Sequence, residues 1–104
     1  MKSVRFAPEF VEELAEAAAW YASRQPGLVG RFLEEFEHAL GSVLTRPASF
    51  PCLRGLLPDL QIRRALLPRF PYAILFIDLD TEVRVLAVAH LKREPGYWLN
   101  RLEP

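Results

Sequence analysis

One run of eight residues constrains the fold of this chain more than any other. Residues 70–77 read Phe-Pro-Tyr-Ala-Ile-Leu-Phe-Ile and carry no charged side chain. Successive side chains of a strand point to opposite faces, so a strand with this sequence is apolar on both faces. Such a strand needs cover on both sides and lies inside a sheet rather than at its edge. Pro71 has no backbone N–H, and we therefore expect it at the start of the strand.

Two further strands are expected beside this central one. Residues 60–67 predict the strand before it, and residues 82–90 predict the strand after it, while the central strand itself extends over residues 70–79. The stretch Asp-Leu-Asp-Thr at 78–81 is typical of a hairpin turn, because these side chains tolerate turn geometry. The second half of the chain thus predicts three consecutive antiparallel strands.

The hairpin turn also predicts which side chains share a face. An even-length turn at 79–80 places four apolar pairs on one face, beneath the helices: Phe76–Val83, Ile74–Val85, Tyr72–Ala87 and Phe70–Ala89. The opposite face would pair Leu75 with Arg84, Ala73 with Leu86 and Arg69 with His90. A slip of one residue would exchange the two faces. In this register the face away from the helices becomes a basic surface, formed by Arg69, Arg84 and His90 with Arg63 or Arg64.

The first half of the chain is predicted to be helical. Residues 2–6 alternate as a short strand, and Pro8 begins a helix. Gln25-Pro26-Gly27 ends that helix, and a second one covers residues 29–45. Each helix has one apolar face, so the pair forms a hairpin that must be covered by the sheet. With a short closing helix at 97–102, the order β-α-α-β-β-β predicts an α+β fold with the helical hairpin on a small, mostly antiparallel sheet.

Composition and missing motifs narrow the class of protein. The 104 residues suit one domain, residues 1–104, and no apolar run reaches the roughly 18–20 residues of a membrane span. Residues 1–6 hold no signal-peptide core, and Cys52 is the one cysteine, so we expect a cytoplasmic protein without a disulfide framework. There is no Gly-rich phosphate loop and no closely spaced His or Cys ligand pair, so we expect neither metal nor cofactor. Thirteen basic and thirteen acidic residues balance, which does not establish nucleic-acid binding.

The stretch A-H-L-K-R-E-P-G-Y-W at 89–98 concentrates candidate functional side chains. A set of His, Lys, Arg and Tyr can cleave RNA without metal. One group takes the 2′-OH proton, cations stabilise the phosphorane, and another group protonates the leaving oxygen. The alternatives are structural: His90 can cap the strand end, and Tyr97 and Trp98 can pack the closing helix instead of stacking on a base. Arg63 and Arg64 can equally be solvated or paired with acids.

Trp20 is the second unusual position. At 100° per residue it falls on the face of the first helix that carries the glutamates, opposite Phe10 and Leu14. A tryptophan on a polar face is either covered by another element or offered to a partner. We therefore regard Trp20 as a candidate contact for a partner protein.

Several short motifs follow one another in a fixed order over nearly the whole chain. They are V-R-F at 4–6 leading to Pro8, W-Y at 20–21, P-G-L at 26–28, R-F at 31–32, Pro47, I-R-R at 62–64, R-F-P-Y at 69–72, and residues 90–101. This series resembles the RelE/ParE superfamily, the toxins of type II toxin–antitoxin systems that are often described as plasmid stabilisation proteins. The resemblance implies two helices against a curved antiparallel sheet, and a cognate antitoxin that neutralises the toxin.

The resemblance leaves more than one target open. RelE-like members cleave mRNA on the ribosome without metal, and ParE-like members inhibit DNA gyrase. Lys92-Arg93-Glu94 matches the basic end of the last strand, and Tyr97 roughly matches the tyrosine after it. RNA-cleaving members carry an arginine just after the central tyrosine, and Ala73 occupies that position here, unless Arg64 or Arg69 substitutes for it. This departure, with the zero net charge, favours a ParE-like toxin that inhibits growth by binding its target.

Two alternatives remain beside this first hypothesis. One is a RelE-like, metal-independent endoribonuclease, in which the catalytic residues would be His90, Arg93, Lys92 and Tyr97. The other is a non-toxic module that only binds an antitoxin. In either toxin reading, the residues expected to contact the target or nucleic acid are Arg63, Arg64, Arg69, Arg84, Trp98 and Arg101, and Trp20 is expected to contact the antitoxin.

Overall fold

The computed structural model describes residues 2–53 and 61–102. Its elements are β1 (Ser3–Phe6), α1 (Pro8–Ala22), α2 (Leu28–Thr45), β2 (Ile62–Leu66), β3 (Tyr72–Asp78) and β4 (Glu82–His90), with short 3-10 helices at Pro47–Ser49 and Leu99–Leu102. The predicted order and the α+β class are confirmed. Leu60, the first residue of the predicted second strand, lies outside the described residues. Among the helices described, none is long and apolar enough to cross a membrane.

The helical hairpin forms because the helical pattern of the sequence is interrupted at residues 25–27. Pro8 occupies the first turn of α1, where a missing N–H costs no helical hydrogen bond. Gly27 precedes α2 with φ of 85°, a left-handed conformation that glycine adopts without a steric penalty. Four side chains of α2 are buried against the sheet at helical spacing: Phe32, Phe36, Ala39 and Val43. The hairpin therefore covers one face of the sheet.

Within the described residues the strands form one sheet in the order β1-β4-β3-β2. Strand β1 runs parallel to β4, and the other neighbours are antiparallel. Strands β3 and β4 therefore occupy the centre, as the apolar run at 70–77 predicts. Tyr72 is the first residue of β3, which leaves Pro71 immediately before the strand rather than within it.

A β-bulge at Leu86 changes the predicted register. Asp78 pairs with Val83 and Phe76 with Val85, but Leu75 pairs with Ala87, so Leu86 has no opposite residue. The predicted pairing of Phe76 with Val83 is therefore wrong by two residues. His90 pairs with Tyr72 instead of Arg69. The extra residue reverses the alternation of β4, because every side chain after Leu86 points to the face opposite its predicted one.

Both faces of the sheet are covered by apolar cores. The face toward the helices, here called the helix face, carries Ile74, Phe76, Val83, Val85 and Val88. The other, called the far face, carries Ile62, Ala73, Leu75, Ile77, Leu86, Ala87 and Ala89, and Trp98 packs on it. The prediction that Ala87 and Ala89 lie under the helices is wrong, since Val88 takes that side after the bulge. The far face is thus an apolar surface rather than the expected basic one.

Candidate functional site

Residues 91–102, here called the closing segment, cover the far face after β4. Their backbone hydrogen bonds among themselves are local turns, such as Tyr97 N–H to Glu94 O and Arg101 N–H to Trp98 O. Trp98 is 2% exposed and packs against small side chains of the far face, which include Ala73 and Ala89. The indole therefore fills a depression that alanines leave open. The sequence left two roles open for Trp98, packing against the fold or stacking on a base. The structure shows the ring packed in the core.

Glu13 of helix α1 binds three groups around the bulge and the closing segment. Its Oε2 accepts the Tyr97 hydroxyl at 2.6 Å and Arg101 Nη2 at 3.1 Å, and its Oε1 accepts Arg101 Nη1 at 2.8 Å. Oε1 also accepts the backbone N–H of Val88 at 3.0 Å, while Arg101 Nη1 donates to Leu86 O at 3.2 Å. Glu13 and Arg101 are only 13% and 9% exposed, respectively. The bidentate pair is thus largely removed from water.

The free edge of β4 explains why this cluster forms where it does. Strand β1 pairs with β4 only as far as Phe6 and Val85, so the following groups on that edge have no strand partner in the part of the chain that the structure describes. A buried backbone N–H or C=O without a partner costs free energy, so side chains must satisfy these groups. Glu13 and Arg101 do so at Val88 and Leu86.

The electrostatics of the cluster favour a neutral Tyr97 and a charged Arg101. Burial raises the pKa of Tyr97 well above its ordinary value, and the hydrogen bond to Glu13 and the charge of that carboxylate raise it further. Burial lowers the pKa of Arg101, but the hydrogen bonds and charge of Glu13 outweigh this, so the net shift is upward. Tyr97 is therefore held as a hydrogen-bond donor, a role opposite to that of a general base.

A groove of about 440 Å³ lies between helix α1 and the ends of β3 and β4, and is called the Trp20 groove. Its lining residues are Glu13, Glu16, Ala17, Trp20, Tyr21, Pro71, Tyr72, Val88, His90 and Arg93. Trp20 is 50% exposed, and its ring meets the Tyr21 ring edge-on at 5.0 Å. The structure confirms that this tryptophan is open to solvent, on the face where the helical wheel places it.

His90 lies in this groove as a consequence of the bulge. Its ring meets the Tyr72 ring edge-on at 5.1 Å, and its Nδ1 accepts the Lys92 backbone N–H at 3.0 Å. That hydrogen bond assigns the proton of a neutral imidazole to Nε2. His90 thus makes, at the end of its strand, the backbone hydrogen bond that the sequence analysis gave as one alternative.

A second groove, here called the far-face groove, has a volume of about 460 Å³ and is bounded by the closing segment. Arg64, Ala73, Arg93, Tyr97 and Trp98 are among the residues that line it. The Arg93 guanidinium lies 3.9 Å from the centre of the Tyr97 ring, a cation–π contact. Two arginines, Arg64 and Arg69, were predicted to substitute for the missing one. Of these, Arg64 lies in the same groove as Ala73.

The other arginines of the predicted basic surface do not line the far-face groove with Arg64 and Arg93. Arg63 donates to Phe50 O at 2.6 Å, and Arg84 lies 3.4 Å from Glu82 and donates weakly to Leu102 O at 3.5 Å. Arg69 lies beside helix α2, where its backbone N–H donates to Glu35 Oε1 at 2.7 Å. The prediction of one shared basic surface is wrong, because it assumed a register without the bulge, in which His90 pairs with Arg69.

Glu13 is the residue that the sequence analysis missed, since all glutamates of α1 were assigned to the wet face. A signal was present: Ala17 and Tyr21 follow Glu13 by four and eight residues, and both are buried. Positions four apart lie on one row of a helix. A glutamate at the head of a row of apolar side chains borders the core and needs a partner there.

Comparison with known proteins finds similarity at the level of three-dimensional structure. The fold is similar to that of a solved chain titled "Chromosomal ParDE TA system from P. aeruginosa", with a TM-score of 0.71 and 14% sequence identity. The similarity covers 86% of this chain and 96% of that chain. The sequence matches no protein-family model and no curated protein. At this identity the similarity shows the fold alone, and it confirms the fold that the sequence resemblance implied.

Proposed function

We propose that this chain is a ParE-like toxin of a type II toxin–antitoxin system, which inhibits growth by binding a protein target such as DNA gyrase. The observation that carries the proposal is the fold, which covers nearly all of a chain from a ParDE toxin–antitoxin structure. A cognate antitoxin would hold the toxin inactive in the cytoplasm, and the pair would serve plasmid stabilisation. Fold alone does not fix a function, so the site must distinguish among the targets.

Three features of the site favour binding over RNA cleavage. Ala73 is 1% exposed beneath Trp98, where RNA-cleaving relatives carry a cation. Tyr97 is engaged by Glu13 and its pKa is raised, so it is a poor proton acceptor at neutral pH. Arg69 lies beside α2 and cannot replace the missing cation. A surface with these properties can recognise a partner but lacks most of a cleavage apparatus.

The charge of the helical layer also favours a protein partner. Residues 8–45 carry seven glutamates against Arg24 and Arg31. A surface with this excess of negative charge repels the phosphates of a nucleic acid and attracts basic protein segments. The Trp20 groove adjoins this surface and offers an exposed indole beside Glu16. We therefore place the antitoxin on this side of the molecule, with Trp20 among its contacts.

One observation favours the nuclease as a second candidate. Arg64, His90 and Arg93 all line the far-face groove, which brings two cations and an imidazole to one depression. Such a group can hold a phosphate and exchange a proton without metal. In this reading His90 and Arg93 would carry the chemistry, and Tyr97 would only position Arg93.

Expression of the chain alone in bacteria tests these candidates. We expect slowed growth, loss of gyrase-dependent DNA supercoiling by the purified protein, and intact transcripts. The variant Arg93→Ala should lose the effect, whereas Arg31→Ala, an exposed arginine of α2, should keep it. Cleaved transcripts that become intact in a folded His90→Ala variant would instead establish the nuclease. Unchanged growth, with tight binding to the product of a neighbouring antitoxin gene, would favour a non-toxic module.

A further inference from the structure

The closing segment is attached to the rest of the molecule at few points. Beyond its local turns, its backbone donates one hydrogen bond to a distant residue, from Leu91 N–H to Pro71 O at 2.9 Å, at the start of the segment. Its most buried apolar side chain on the far face is Trp98, with Tyr97 and Leu102 partly buried beside it. The long-range polar contacts of Tyr97 and Arg101 both end on Glu13, apart from the bond between Arg101 and Leu86 O. Arg84 adds a hydrogen bond of 3.5 Å to Leu102 O, which is at the limit of hydrogen-bond distance.

The Glu13 carboxylate has no acceptor capacity left. Its two oxygens receive four hydrogen bonds, two from Arg101, one from Tyr97 and one from the Val88 N–H. Two oxygens of a carboxylate offer about four lone-pair positions, so the site is saturated. Neighbouring Glu16, three residues later on α1, is exposed and lines the Trp20 groove. Glu13 is therefore largely buried and fully hydrogen-bonded, whereas Glu16 on the same helix is exposed.

We propose that Glu13 is the positioning residue for the closing segment: it fixes Tyr97 and Arg101, and through them the place of Trp98 and Arg93. The Arg93 guanidinium lies on the Tyr97 ring, and that ring is fixed by its hydroxyl on Glu13. Without the carboxylate, residues 97–102 keep the apolar packing of Trp98 and Leu102 and the hydrogen bonds of Arg101 to Leu86 O and of Arg84 to Leu102 O. If the proposed function is correct, Glu13 thereby organises the surface that meets the target, although it does not touch the target itself.

The emission of Trp98 reports directly on this attachment. The variant Trp20→Phe leaves Trp98 as the one tryptophan, because the chain has two. In that background, Glu13→Gln should shift the emission of Trp98 to longer wavelength and raise its quenching by acrylamide several-fold. Glu16→Gln is the matched control and should leave both unchanged. The far-UV circular dichroism of the helices should persist in both variants at room temperature.

A double-mutant cycle separates positioning from general support of the core. Glu13→Gln, Arg101→Gln and the double variant should give the same quenching, because all three break one unit. Arg101→Lys should restore part of the protection, since it keeps the charge but not the bidentate geometry. The proposal is wrong if Glu13→Gln quenches no more than Glu16→Gln. It is equally wrong if Trp98 becomes exposed only together with cooperative loss of the helices.

The outcome of this experiment does not depend on the target. A wild-type chain with no effect on growth would refute the proposed function and leave the fluorescence result intact. A toxic wild-type chain whose Glu13→Gln variant stays fully toxic with Trp98 exposed would support the positioning of the closing segment by Glu13 but exclude its role in target recognition. Toxicity lost in Glu13→Gln and kept in Glu12→Gln, an exposed glutamate of α1 that lines neither groove, is the expected result.

Discussion

At the scale of single residues, the two tryptophans have opposite environments. Trp98 is 2% exposed and fills the depression left by the alanines of the far face. Trp20 is 50% exposed, and its ring contacts Tyr21 and the Arg24 guanidinium, the latter at 4.4 Å from the ring centre. Loss of a buried indole leaves a cavity, whereas loss of an exposed one removes surface that water already contacts.

Alanine at each position should therefore have different consequences. Trp98→Ala should lower the free energy of unfolding by about 3–5 kcal/mol, as measured by urea denaturation. Trp20→Ala should lower it by roughly 1 kcal/mol or less, yet weaken copurification with the antitoxin. Val11→Ala is the control for the second variant, because Val11 is 61% exposed on the same helix but does not line the groove. Equal loss of stability and of binding in Trp20→Ala would contradict a contact role.

Trp20 and Glu13, both on helix α1, differ in how far their environments could be predicted from the sequence. The helix face of Trp20 followed from the helical wheel, because the pattern of α1 is regular over fifteen residues, whereas its exposure did not. The partner of Glu13 did not follow, since Tyr97 and Arg101 are 84 and 88 positions away along the chain. A local pattern shows that a glutamate borders the core, but only the path of the closing segment shows what it binds.

At the scale of elements, the strands were predicted and the register of the hairpin was not. Residues 82–90 form β4 as expected, but Leu86, Ala87, Val88 and Ala89 are all apolar. Register is specified when one face of a strand is polar and the other apolar. Both faces of the central strands are buried here, so the sequence of β4 fits either alternation, and the bulge leaves no trace in the pattern. The expected convergence of arginines failed for this reason.

The glycines of the helical hairpin give a prediction at this scale. Gly41 lies in the interior of α2, and an added Cβ would meet nothing within 4 Å, so Gly41→Ala should raise the free energy of unfolding by roughly 0.5–1 kcal/mol. An added Cβ at Gly27 is also unobstructed, but its φ is +85°. Gly27→Ala should therefore lower stability by about 1 kcal/mol. Urea denaturation of the pair checks both signs, and stabilisation by Gly27→Ala would contradict the left-handed turn.

At the scale of the whole molecule, the sheet is enclosed between two layers that differ in regular structure. The helical hairpin covers the helix face with two long amphipathic elements, whereas the far face is covered by the closing segment, whose one regular element is the 3-10 helix Leu99–Leu102. The order of elements predicted the first layer, because amphipathic helices require a sheet to cover them. The second layer is held by Trp98, with Tyr97 and Leu102 partly buried beside it, and by the ion pair of Glu13 and Arg101. No periodic pattern in the sequence predicts these contacts.

The raised pKa values of the three tyrosines make stability depend on pH. Burial is the main reason that the pKa of each is raised: Tyr21 lies on the buried side of α1, Tyr72 lies in β3 beneath the helices, and Tyr97 donates to Glu13. A group whose pKa is higher in the folded state stabilises that state while it stays protonated. The contribution is therefore complete below about pH 10, the ordinary pKa of tyrosine, and is lost as the pH rises through the folded values.

Absorbance of tyrosinate should accordingly show no tyrosine of the native protein ionising at the ordinary pKa, and stability should fall above about pH 10. Tyr97→Phe removes the group that Glu13 holds, so this variant should lose stability at neutral pH and show a shallower decline at alkaline pH than the wild type. Urea denaturation at about pH 8 and about pH 10.5 measures both slopes. A native tyrosine that ionises near pH 10 and disappears in Tyr97→Phe would mean that the hydroxyl is free, and would remove the central hydrogen bond of the closing segment.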